Sequence, residues 1–258
     1  MEEVIQPDKR KFQYLKRTTE FNFKKNNFLN FLIEFDSYKK RFSSGGLQEQ
    51  GELQKSLEIE ITFDFKYNLL IIKCGEQSYV NIIKKIFSQN LKSISFESLS
   101  IKPLVKQINF AGEANFHNQS YFILDFLFSK LRTNNFEAND YLAISFSNNK
   151  KEIKKTSVAG NNLFAEPTVE ERLISLDAIN AVKFQLAKVF VNQETGTSAN
   201  LDEIRMDFRQ QLKITFYKEQ NDSYHRSYIH HIVTSLKEGL NGTHDCQNTE
   251  KLLKVIRS

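Results

Sequence analysis

Leu57-Glu58-Ile59-Glu60-Ile61-Thr62-Phe63-Asp64-Phe65-Lys66 alternates apolar and polar side chains without a break. A period of two is the signature of a half-buried β-strand. Leu57, Ile59, Ile61, Phe63 and Phe65 are therefore expected to face a core, and Glu58, Glu60, Thr62, Asp64 and Lys66 to face outward. Tyr67-Asn68 follows as a turn, and Leu69-Leu70-Ile71-Ile72-Lys73 as the returning strand, so residues 57–73 form a predicted hairpin. Upstream, Phe28, Leu29, Leu32, Ile33, Phe35 and Phe42 suit an amphipathic helix over 26–42, ended by Ser43-Ser44-Gly45-Gly46. Downstream, Val80, Ile83 and Phe87 give 76–89 the inner face of a second helix, with Lys84 and Lys85 outside.

The next stretch reads as short strands over 93–96 and 101–108, the second of them at an edge because of Pro103. Phe116 to Arg132 is apolar on almost every side, as a central buried helix would be. The break at 133–139 then marks the expected boundary between an N-terminal subdomain, 1–135, and a C-terminal one, 136–258. In the second half, strands are predicted at 141–146 and 151–158, helical turns at 167–173, and a hairpin over 182–217 joined across Asn192–Asn200. Helices follow at 222–240, with Asp222 as N-cap, and at 250–256. The expected class is α+β, with mixed or antiparallel sheets and amphipathic helices, in two subdomains.

Composition bounds the function classes. The chain has 258 residues, 40% of them hydrophobic, with 23 Phe, 9 Tyr and no Trp, which is too rich in apolar groups for a disordered chain. Only 9 Gly and 3 Pro place most of it in regular elements. The net charge of +5 favours phosphates or an acidic surface as partners, although a chain this rich in Lys, Asn, Ile and Phe is what an AT-rich genome supplies whatever the function. Two cysteines, Cys74 and Cys246, are too few for a disulfide framework. The N-terminus lacks an apolar leader and no run of 18 apolar residues occurs, so a cytoplasmic protein with no membrane partner is expected.

Metal-dependent nucleases of the restriction-enzyme type pair an acid on one strand with a carboxylate two residues before a Lys on the next. Asp64 and Lys73 stand where the first acid and the lysine would, but the residue two before Lys73 is Ile71, whose side chain cannot ligate a metal. Glu58, Glu60 and Glu76 would have to substitute, and solvated acids on an outer hairpin face are the simpler reading. His225, His230 and His231 are spaced five and six residues apart on one helix, against the three or four that two zinc ligands need. No serine elbow, cysteine–histidine motif or glycine-rich phosphate loop is present. Neither a catalytic site nor a metal or cofactor is expected.

Cations cluster outside an apolar face in two places. One is Lys9, Arg10, Lys11, Lys16 and Arg17, with Phe12 and Tyr14 among them; the other is Arg205, Arg209 and Lys213, at every fourth position on one face of the last long strand. Both have the chemistry of phosphate contact. The expected function is a non-catalytic nucleic-acid- or protein-binding component of a larger system, of the kind found in prokaryotic antiviral or mobile-element systems. Nucleic acid is the first partner, and a protein or a second copy of the chain the next. A divergent nuclease centred on Asp64 and Lys73, or a sensor of a nucleotide-type small ligand, are the alternatives.

Overall fold

A computed structural model of the chain describes residues 12–17, 28–40, 51–90, 99–106, 110–111, 117–133, 135–148, 155–160, 163–192, 196–209, 211–218, 222–241 and 244–245. The chain divides into two compact units, Met1–Glu97 and Ser98–Ser258. The break at 133–139, expected between 1–135 and 136–258, falls inside the second of these units.

In the first unit, β1 (Phe12–Arg17), β2 (Phe28–Lys40), β3 (Gly51–Asp64) and β4 (Leu69–Lys73) form an antiparallel sheet in chain order, followed by α1 (Gln77–Asn90). The predicted hairpin is β3–β4, in register from Glu60 opposite Lys73 to Asp64 opposite Leu69. Within the helix expected over 26–42, residues 28–40 are a strand instead. Leu29, Phe31, Ile33 and Phe35 alternate as well as Phe28, Leu29, Leu32 and Ile33 follow a helical period, and pairing with strands on both sides satisfies the backbone of β2. Phe31, Ile33, Phe35, Ile59 and Ile61 are buried with Ile83 and Phe87 of α1, on the inner face predicted for that helix. Phe87 meets the rings of Phe31 and Phe63 edge-on, with centroids 5.5 and 5.3 Å away.

Phe65 departs from expectation, since it is 50% exposed. The strand ends one residue earlier, at Asp64, whose Oδ1 accepts the backbone N–H groups of Lys66 at 3.1 Å and Tyr67 at 3.2 Å. That Asx turn takes Phe65 out of the pleat, and its ring stacks on Phe63 at 6.2 Å rather than entering the core. Thr62 and Asp64, expected on a solvated face, are buried; Thr62 Oγ1 lies 2.8 Å from Asn30 Oδ1.

The second unit is built on an antiparallel sheet ordered β10 (Lys213–Phe216), β9 (Gly196–Asp207), β8 (Ala178–Asn192), β6 (Phe136–Ser147) and β7 (Lys155–Ala159). One side of it carries Ile144, Phe146, Val182, Phe184, Leu186, Ile204 and Met206 into a single core. Helices α3 (Asn118–Asp125), α4 (Pro167–Ile174) and α5 (Asp222–Asn241) contribute Phe122, Leu173 and Tyr228 to the same core. The buried central helix predicted over 116–132 is α3 continued by one π turn, Phe126–Lys130. A two-residue parallel pair, β5 (Phe110–Ala111) with β11 (His244–Asp245), completes an α+β fold.

Two strand expectations are corrected here. Residues 101–105 form a short helix, α2 (Ile101–Val105), because Pro103 sits in its first turn, where the missing N–H would have had no helical partner anyway. The long strand expected from 204 to 217 folds back after Asp207, so that β10 pairs with β9, Lys213 opposite Asp207 and Phe216 opposite Ile204. Phe208 N–H to Asn180 O and Leu212 N–H to Leu99 O, both 2.7 Å, pin the turn at its two ends. The strand expected at 93–96 and the helix expected at 250–256 lie outside the described residues.

Helix α4 ends in a Schellman arrangement: the Asp177 N–H reaches Arg172 O at 3.1 Å and the Leu176 N–H reaches Leu173 O at 3.0 Å. The residue that must turn left-handed is Leu176, at φ 60°, and it is 51% exposed. A leucine there is strained by its Cβ and gains little from burial. Leu176→Gly is expected to stabilise the protein by about 1 kcal/mol. A lower melting temperature for that variant would show that the side chain makes a contact worth more than the strain.

Candidate nucleic-acid interface

The side of the five-stranded sheet opposite its core displays the polar positions of the alternating strands. Register places Lys183 of β8 beside Arg205 of β9, Arg205 beside Thr215 of β10, and Asp207 beside Lys213. Arg205 and Lys213 are thus diagonal neighbours on paired strands. The fold-back brings together two residues that a continuous strand would hold about 26 Å apart at about 3.3 Å per residue.

Arg209 behaves differently. It lies in the turn, and its guanidinium grips the carboxylate of Asp207: Nε is 3.0 and 2.9 Å from Oδ1 and Oδ2, and Nη2 is paired with Oδ2. Burial alone would raise the pKa of Asp207. Hydrogen bonds from the Arg209 side chain and backbone, with the charges of Arg209 and Arg205, overcome it and hold the carboxyl below its usual range. The same contacts bind the proton of Arg209 more tightly. Arg209 therefore serves first as the clasp of the β9–β10 turn.

A second pairing crosses all three strands. Lys183 Nζ lies 2.6 Å from Glu203 Oε1 and 4.5 Å from the centroid of the Tyr217 ring, while the Tyr217 N–H bonds to Glu203 O at 3.1 Å. Tyr217 stays 50% exposed. The patch carries Lys183, Arg205, Arg209 and Lys213 against Glu203 and Asp207, a surplus of two positive charges. Lys183 was not singled out in the sequence, although it holds an outward position between Val182 and Phe184; only the register shows it beside Arg205.

Of the N-terminal cations, Lys16 and Arg17 lie in β1, in register with Ile33 and Leu32, and Lys9, Arg10 and Lys11 lie outside the described residues. The residues of the nuclease alternative are not brought together. Lys73 Nζ is 2.7 Å from Glu60 Oε2, its register partner, whereas Asp64 is four residues further along β3, about 13 Å at about 3.3 Å per residue. Asp64 is also committed to the Asx turn. Among the described residues, no three His, Cys, Asp or Glu side chains converge as metal ligands would.

The helical histidines separate as their spacing implies. His231 stacks on Phe136 at 4.0 Å and its Nε2 lies 2.6 Å from Leu131 O, tying α5 to the end of the π turn; burial lowers its pKa below the usual histidine value. His225 stacks on Phe216 at 4.2 Å, with Nε2 3.6 Å from Oδ2 of Asp202. Asp202 is fully buried, and among the described residues neither of its carboxylate oxygens nor His225 Nε2 has a hydrogen-bond partner. Burial raises the pKa of Asp202, an effect that the charges of His225 and Lys218 and nearby backbone N–H groups partly offset.

Among the described residues no helix is long and apolar enough to cross a membrane. No protein-family model, no curated protein and no solved structure matches the chain.

Proposed function

We propose that the chain is a non-catalytic nucleic-acid-binding protein, and that the outward side of its second sheet is the binding face. The observation that carries this reading is the convergence of Lys183, Arg205 and Lys213 from three adjacent strands, with the half-exposed Tyr217 beside Lys183. Phosphate contact needs exposed cations on a surface broad enough to follow a backbone, and such contacts supply most of the affinity in a salt-dependent way. The nuclease alternative loses support from the separation of Asp64 and Lys73 along the hairpin.

Arg205→Gln/Lys213→Gln tests the reading, because it leaves the Arg209–Asp207 clasp of the turn in place. Binding to a labelled oligonucleotide, followed by anisotropy across a salt series, is expected to weaken for all sequences alike. The slope of log K against log salt is expected to flatten by about 0.7 per lost contact on single strands and about 0.9 on duplex. Stability is expected to change by less than about 0.5 kcal/mol per exposed substitution. A parent protein that ignores nucleic acid at low salt would leave a partner protein as the better reading.

A further inference from the structure

We propose that this face is a stacking platform for single-stranded nucleic acid, with Tyr217 as the residue on which a base lies; the inference rests on the nucleic-acid reading above. Three strands fix the ring. Its backbone is held by Glu203 O in β9, one step past the end of β10, and one side of the ring is covered by the ammonium of Lys183 in β8, itself tethered by Glu203 Oε1. A tyrosine held in this way loses little further freedom on binding. Lys183 covers one side of the ring and the residue is 50% exposed, so the exposed part of the ring is the surface that would take a base.

The surroundings favour an unpaired strand over a duplex. Reading a duplex takes a helix or ribbon that projects into a groove, whereas Lys183, Arg205, Lys213 and Tyr217 lie on the pleated surface of a sheet. Further across the same side the side chains are short: Ala143 and Ser145 in β6 and Ser157 in β7, where the two serine hydroxyls meet at 3.0 Å in an exposed position. A low floor beside an oriented ring and a positive surplus suits splayed bases with their phosphates over Arg205 and Lys213. Stacking of this kind is tolerant of sequence, since every base has a π-face.

The test compares the parent, Tyr217→Ala and Tyr217→Phe for affinity to a labelled oligo-dT strand and to a duplex, each across a salt series. Tyr217→Ala is expected to weaken single-strand binding roughly 5- to 150-fold, from a stacking energy of about 1–3 kcal/mol per base. Its salt slope should match the parent's, because no phosphate contact is removed. Tyr217→Phe keeps the ring and is expected to bind as the parent does. Single-strand binding by Tyr217→Ala within twofold of the parent would overturn the platform while leaving the phosphate reading intact. A parent that prefers duplex, with both forms weakened alike by Tyr217→Ala, would overturn it too. Absence of any binding by the parent, at low salt and with an unchanged melting temperature in the variants, would overturn both readings together.

Discussion

Phe184→Ala is expected to lower the stability of the protein by about 3–5 kcal/mol, the usual loss for a core phenylalanine. Phe184 is fully buried on the inner side of β8, the middle strand of the five, with neighbouring strands paired on both flanks through Tyr141 and Ile204. Its ring lies 6.0 Å from that of Tyr141, which also packs edge-on against Phe164 at 5.0 Å. Truncation would leave a void between the sheet and the helices that rigid strands cannot close. Denaturant unfolding followed by far-ultraviolet circular dichroism reads the loss directly. Phe65→Ala is the matched control: the same change at a 50% exposed ring is expected to cost much less. A loss for Phe184→Ala as small as the control's would mean that Phe184 faces outward.

The alternation that locates Phe184 was legible because a strand buried on one side writes its period into the side chains, as 57–61 and 182–186 both do. The misreadings have physical causes. Phe28, Leu29, Leu32 and Ile33 satisfy a helical period and a strand period at once, and the choice falls to tertiary pairing with β1 and β3. The fold-back after Asp207 left no mark because Phe208, Leu212, Ile214 and Phe216 keep one phase through the turn. The cations of the candidate face were therefore visible as residues of one side, but their arrangement as a cluster rather than a line was not. Lys183 joined them only through register, which is a property of pairs of strands and not of either alone; Tyr217 shares their phase in the sequence, and the pairing adds its place beside Glu203 and Lys183. Asp202 did leave a signal: it is the polar residue at an inward position of β9, two before Ile204, where the pattern calls for an apolar side chain.

That buried carboxylate yields the second large effect. His225→Phe preserves the aromatic stack on Phe216 while removing Nε2 from beside Asp202, so the change isolates the contact with the carboxylate. Removing one member of a buried pair is expected to cost about 3–5 kcal/mol, because the carboxylate is left uncompensated in the core. The sign of its pH dependence follows from the raised pKa of Asp202, set first by burial and relieved in part by His225 and Lys218. The folded state holds the Asp202 proton more tightly than the unfolded chain, so stability falls as pH rises from the ordinary aspartate range through the raised value. Without His225 this fall deepens. The penalty of His225→Phe should therefore be small below the ordinary aspartate range, where Asp202 is protonated in both states, and grow as pH rises through the raised value. Asp207, whose pKa is lowered, titrates in the opposite sense but is common to both proteins and cancels in the difference. Adding Asp202→Asn should restore most of the lost stability and flatten the pH dependence, since no charge is then buried. A cost that does not change with pH, and is not relieved by Asp202→Asn, would assign His225 to packing against Phe216 alone.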